Sequence, residues 1–218
     1  MATPPRFDPD CRRCPRLATF LDEVGQKYPD YHARPVPAFG EDPPKLLIVG
    51  LAPGLHGANA TGRPFTGDHA GILLYEALHR HGFARLPTST HRDDGQALID
   101  ARLTNAVKCL PPQNKPVGAE INTCNAFLKA ELDALPRPTI VLVLGGIAHR
   151  AVLRALGLKQ SAVKFAHGAE ATPVDGLTLV SSYHCSRYNT QTRRLTPEMF
   201  DALFADLRRR VDALPGAA

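Results

Sequence analysis

The run Val49-Gly50-Leu51-Ala52-Pro53-Gly54-Leu55-His56-Gly57-Ala58-Asn59-Ala60-Thr61-Gly62-Arg63-Pro64-Phe65-Thr66-Gly67-Asp68 decides how this chain is read. Leu46 to Val49 is an apolar run suited to a buried parallel strand, and it breaks into a loop holding five glycines and two prolines. The loop ends at a helix start near Asp68 or His69. A long glycine-rich excursion from a strand's carboxyl end is where an open α/β sheet binds small molecules, because glycine lets the backbone approach a ligand closely. Composition alone would equally suit a plain surface loop. Phe65 and Asp68, set among glycines beside a helix amino terminus, favour a site, although an Asp in that place also reads as an ordinary N-cap.

Working outward, Ile72, Leu73, Tyr75 and Leu78 predict a helix from Asp68 to a stop at Gly82. A second strand is expected over Ile99 to Val107, running into Thr104-Asn105-Ala106-Val107-Lys108-Cys109-Leu110-Pro111-Pro112-Gln113-Asn114-Lys115-Pro116. A helix then spans Gly118 to Leu135. Thr139 to Leu144 is the clearest strand, closed by Gly145-Gly146 and followed by a helix over Ile147 to Leu156. A weaker β segment around Val163 to Glu170 precedes a last core strand, Leu177 to Ser181, which leads into polar residues from Ser182 to Arg194. The final helix starts at Thr196 with Pro197 in its first turn. Its Arg208, Arg209 and Arg210 read as solvated charges that suit the helix dipole. Three strands thus end in polar chemistry, which in an α/β sheet lies on one edge.

The 218 residues suit one α/β domain, with a frayed tail expected over 215–218. With 44% hydrophobic and 22% charged residues, no segment approaches the ~20 apolar residues that span a bilayer, and Met1 to Arg6 lacks an apolar signal core. A cytoplasmic monomer with no membrane partner is expected. A net charge of +5 favours a polyanionic partner without proving one. The five cysteines, Cys11, Cys14, Cys109, Cys124 and Cys185, are an odd number without a secretion signal, which argues against a disulfide framework. Cys11-x-x-Cys14 can converge on one metal or cluster. Together with Cys109 and Cys124 it supplies four thiolates, the number required by either a tetrahedral zinc or a four-iron, four-sulfur cluster.

Three separated blocks, Gly62 to Asp68, Thr104 to Pro116 and Ser182 to Thr196, together with the four cysteines, resemble the iron-sulfur branch of the uracil-DNA glycosylase superfamily called family five, or type b. The resemblance covers roughly residues 11 to 211. It implies a three-layer fold with a mainly parallel four-stranded sheet between helices, and a 4Fe-4S cluster on Cys11, Cys14, Cys109 and Cys124. It also implies hydrolytic excision of uracil, and of deaminated purines such as hypoxanthine, from DNA. Asp68, His184 and Asn114 match the catalytic positions. Phe65 matches the aromatic residue on which the base stacks, Asn105 a base-recognition residue, and Gly50, Ala52, Pro53 and Gly54 the substrate loop. Cys185 stands where the family often has proline or valine, and reads as a tolerated substitution and not as a nucleophile.

Such chemistry requires a flipped nucleotide, and Arg63, Lys108, Lys115, Ser182, Arg187, Tyr188 and Asn189 are the residues expected at the DNA. Asp68 and His184 suffice for a hydrolytic route, so a monofunctional enzyme without a Schiff-base lysine is expected. The rival readings are a non-catalytic iron-sulfur or zinc nucleic-acid-binding module and an iron-sulfur redox protein. Neither would require Phe65, Asp68, Asn105, Asn114 and His184 at the ends of three strands.

Overall fold

The computed structural model describes residues 6–215, so 216–218 of the expected tail lie outside it. In chain order the elements are α1 (Pro15–Lys27), β1 (Phe39–Gly40), β2 (Leu46–Gly50), α2 (Ala58–Thr61), α3 (His69–Arg80), β3 (Ala101–Asn105), a 3-10 turn (Pro112–Asn114), α4 (Gly118–Asp133), β4 (Thr139–Leu144), α5 (Gly146–Ala155), β5 (Glu170–Val174), β6 (Leu177–Ser182), α6 (Arg187–Gln191) and α7 (Pro197–Asp212). The sheet runs β1-β3-β2-β4-β6-β5. Its inner four strands are parallel, as expected, while β1 and β5 add antiparallel edges.

The edges escape a sequence reading for physical reasons. β1 is two residues long, and β5, Glu-Ala-Thr-Pro-Val, lacks an apolar run and carries a proline that only an edge strand tolerates. The weak segment expected over Val163 to Glu170 is corrected accordingly. The strand begins only at Glu170, and the chain before it turns through Gly168, whose φ is 73° and whose N–H donates to Ser181 O.

Alternation along the inner strands divides the core into two layers. Leu46, Ile48, Leu103, Ile140 and Leu142 face α3 and α7, whereas Leu47, Val49, Val141, Val143 and Leu179 face α4 and α5. Leu74, Tyr75, Leu78, Phe200 and Phe204 are fully buried on the first face, and each such side chain contributes about 1.5–3 kcal/mol. A third cluster sets Leu17, Leu21 and Val24 of α1 against Val107, Leu110 and Phe127.

Register places the site. Gly50 pairs with Asn105, Val49 with Val143 and Leu144 with Ser182, so the carboxyl ends of all four parallel strands reach the same edge. From β2 the chain goes to β3 on one side and to β4 on the other, the switch point outside which open α/β sheets form a crevice.

Candidate active site and cysteine cavity

A cleft of about 630 Å³ opens at that edge, lined among others by Ala52, Gly54, Asp68, Asn114, His184 and Arg187. Its geometry depends on missing side chains. A Cβ on Gly50 would stand 2.5 Å from Asn105 Oδ1 and collide with the Phe65 ring, and one on Gly71 would overlap the Phe65 carbonyl. Phe65 and Asn105, 5% and 4% exposed, therefore pack against the end of β2 behind the open walls. Pro53 and Gly50 are buried there too. The Phe65 ring faces His184, with centroids 6.3 Å apart and planes tilted by 32°. Phe65 holds φ at 55°, a left-handed conformation that costs a bulky residue on the order of 1–3 kcal/mol.

Asp68 caps α3 and also lines the cleft. Its Oδ1 accepts the Gly71 N–H at 2.9 Å as the N-cap of α3. Its Oδ2 faces the glycine loop, where a Cβ on Gly57 would lie 2.6 Å away. Burial raises its pKa above the ordinary carboxylate value, against the opposing hydrogen bonds from Gly71 and Ala70. Burial likewise pulls His184 down to about 4, so its imidazole is neutral at physiological pH. The segment carrying His184 is held by Asn189, whose Nδ2 donates to the His184 carbonyl at 2.8 Å. Asn114 and Gln113 take φ of 56° and 55° in the turn that carries them, a conformation Asn tolerates well. Cys185 is fully buried, and burial pushes its thiol far above the ordinary range, leaving no thiolate to attack.

Three residues expected at the DNA are corrected. Lys108 is 2% exposed, and its ammonium donates to Thr104 Oγ1 at 2.5 Å and Glu131 Oε1 at 2.9 Å. Arg63 is 6% exposed, paired with Asp94 at 2.6 Å, stacked over Phe39 and bonded to the Arg92 carbonyl. Burial alone would raise Asp94, but hydrogen bonds from Arg63, Gln96 and Thr90 hold its carboxyl well below the usual range. Ser182 is buried, and its hydroxyl bonds His167 Nδ1 and the Tyr183 carbonyl. All three turn inward, and the two cations meet buried carboxylates there. Arg187 and Lys115 are exposed, the former on the cleft, and Tyr188 is 71% exposed. His56 and His69 also line the cleft, although the sequence reading gave them no part in it. Their signal was position alone, within and just after the glycine loop.

Away from the cleft, Cys11, Cys14, Cys109 and Cys124 line one cavity. Cys14 is the N-cap residue of α1 and Cys124 lies in the second turn of α4, and the two helix starts are clamped by Arg16 and Glu120. Arg16 Nε and Nη2 meet Glu120 Oε1 and Oε2 at 2.7 and 2.8 Å. The Cys109 thiol is pushed up to about 12, first by burial and then by the other three cysteines. Lys108 N–H points at Cys124 Sγ at 3.3 Å. Among the described residues no three His, Cys, Asp or Glu side chains could hold a single metal ion. The cavity shares no lining residue with the cleft.

Residues 37–208 match the family described as the uracil DNA glycosylase superfamily. The chain is similar to the type-5 uracil-DNA glycosylase of Thermus thermophilus, with 46% identity over 204 residues that cover 91% of this chain and 93% of the relative. It is also similar to type-5 enzymes of Mycobacterium leprae, 44% identical over 91% of this chain and 90% of that one, and of Pyrobaculum aerophilum, 41% identical over 95% and 90%. A parallel sheet whose switch point carries Asp68, Asn114 and His184, in a chain matched along most of its length, belongs to the uracil DNA glycosylase superfamily and groups within it with the type-5 enzymes.

Proposed function

We propose that this protein removes uracil from DNA by hydrolysing the N-glycosidic bond, leaving an abasic site. The observation that carries the reading is the convergence of Asp68, Asn114 and His184 on one cleft beside Arg187, in a chain whose relatives bear that activity in their names. A base in a duplex shields its glycosidic bond, so the nucleotide is flipped into the cleft at a cost of a few kcal/mol. Cleavage leaves an oxocarbenium-like sugar and an anionic base. The neutral His184 imidazole supplies a donor for the base oxygen, and such a donor is typically worth about 3–4 kcal/mol. The cleft-facing oxygen of Asp68 favours the sugar cation and orients water, while its other oxygen stays on the helix cap. Asn114, on the exposed turn, reaches the reaction centre, and Asn105 with Phe65 shapes the base end.

The route is monofunctional, since Lys108 is committed to Thr104 and Glu131 and Lys115 lies off the cleft wall. A site shaped by an aromatic ring, amides and glycine backbone does not reject purines, so hypoxanthine is a second substrate. The four cysteines of the second cavity suit a 4Fe-4S cluster. They supply the four thiolates such a cluster needs, and all four line one cavity. The cluster would hold α1 to α4 and supply no group to the reaction, because its cavity and the cleft are separate.

Incubation with a labelled oligonucleotide containing uracil, then alkali, is expected to cut the strand at that position. Hypoxanthine oligonucleotides should be cut more slowly. Asp68→Ala and His184→Ala should each lower single-turnover cleavage about 10²-fold or more. Borohydride trapping of a protein–DNA adduct would overturn the hydrolytic route, and an intact uracil strand would overturn the reading itself.

A further inference from the structure

Beside the cleft, three aromatic side chains form a bracket that the reaction above does not use. Tyr28 and Tyr31, which follow α1, stack with centroids 4.7 Å apart and planes 13° from parallel. The His56 ring stands edge-on to both at 5.7 and 6.0 Å, and its Nδ1 lies 2.8 Å from Tyr31 Oη. His56 is exposed, yet it lines the same cleft as Asp68, His184 and Arg187. Tyr28 and Tyr31 pack on the α1 core cluster, so the fold fixes them, whereas the exposed His56 is held in one orientation at a cost in rotamer entropy, which favours a role toward a group outside the protein. A phenol is a stronger acid than a neutral imidazole N–H. With the Tyr31 hydroxyl donating to Nδ1, the ring proton resides on Nε2.

Resting on the glycosylase reading, we infer that His56 is a further DNA-binding residue. It presents its Nε2–H to a backbone phosphate flanking the extruded nucleotide, and Tyr31 is its positioning residue. A phosphate fits better than the base. A flipped base must travel inward toward Phe65 and Asn105, which are buried, whereas the backbone stays at the surface where His56 and Arg187 are exposed. The glycine loop and the start of α6 then grip the strand from the ends of two different strands of the sheet, β2 and β6.

The test uses duplexes bearing one uncleavable 2′-fluoro-deoxyuridine, with either native phosphates or a single neutral methylphosphonate on its 5′ or 3′ side. On native DNA, His56→Ala should weaken binding about tenfold, the scale of one hydrogen bond to a charged group. His56→Gln, which keeps an N–H donor, should recover most of the loss, and Tyr31→Phe, which keeps the stack, should weaken binding about threefold. At one flanking phosphate the methylphosphonate should weaken the wild type about tenfold but cost His56→Ala little more, since both changes delete the same contact. Wild-type affinity in His56→Ala, or penalties that add at both phosphates, would overturn the assignment. A wild-type chain that cleaves no ordinary uracil duplex defeats the glycosylase reading instead, so the two failures are distinguishable.

Discussion

Gly50 shows how much of the site depends on single atoms. It ends β2, and the space where its Cβ would stand is shared by the Phe65 ring and the Asn105 amide. Gly50→Ala is expected to destabilise the fold by about 1–3 kcal/mol through overpacking and to lower excision about 10²-fold by displacing both side chains. Excision at the wild-type rate would show that the pocket yields freely. His184 makes a separate prediction about pH. Its pKa falls from 6.5 unfolded to about 4 folded, so the unfolded chain takes up a proton first as pH drops. Stability is full above pH 6.5 and falls across the window down to about 4. His32 and His167, also lowered by burial, steepen the same slope. Urea titrations of the wild type and His184→Gln should show a shallower pH slope in the variant, and equal slopes would contradict the burial of a neutral imidazole.

At the scale of elements, α4 binds the fold together through two ion pairs of different kinds. Lys108 and Glu131 are both nearly fully buried, and Glu131 Oε2 has no partner of its own. Deleting one member strands a charge, so Glu131→Ala should cost about 3–5 kcal/mol, whereas Lys108→Met with Glu131→Leu should cost far less. Thermal melts of the single and double variants separate these outcomes. The Arg16–Glu120 pair is half open to solvent on the arginine side and locks the two helix starts that carry Cys14 and Cys124. Hydrogen bonds from Arg16 and Val117 outweigh burial and lower the Glu120 pKa, so this contribution is present above the ordinary glutamate value and lost as pH falls further. The arginines of α7 are also paired and not simply solvated, with Arg208 on Asp100 at 3.1 Å and stacked over Phe83.

For the molecule as a whole, the cysteine cavity joins segments about a hundred residues apart, and its loss should be felt as folding before chemistry. Cys109→Ala is expected to lower soluble yield and iron content together, with iron and labile sulfide equimolar in the wild type, while one zinc per chain in anaerobic material would refute the cluster. The sequence by itself determined the parallel strands, their order along the chain and the helices α3, α4 and α5 between them, because burial on both faces demands apolar runs; β3, with Arg102 and Thr104 in it, is shorter than expected, Ala101–Asn105 in place of Ile99 to Val107. It also determined that polar loops would meet at one sheet edge, which follows from parallel topology alone. The roles of Arg63, Lys108 and Ser182 were decided only in three dimensions. A cation or hydroxyl in a polar loop or at a strand end reads as a contact for DNA until the packing shows whether Asp94, Glu131 or His167 lies within reach. The edge strands and the bracket around His56 were decided there as well. A two-residue strand has no periodicity, and Tyr28, Tyr31 and His56 meet through contacts between residues up to 28 apart that no local pattern encodes.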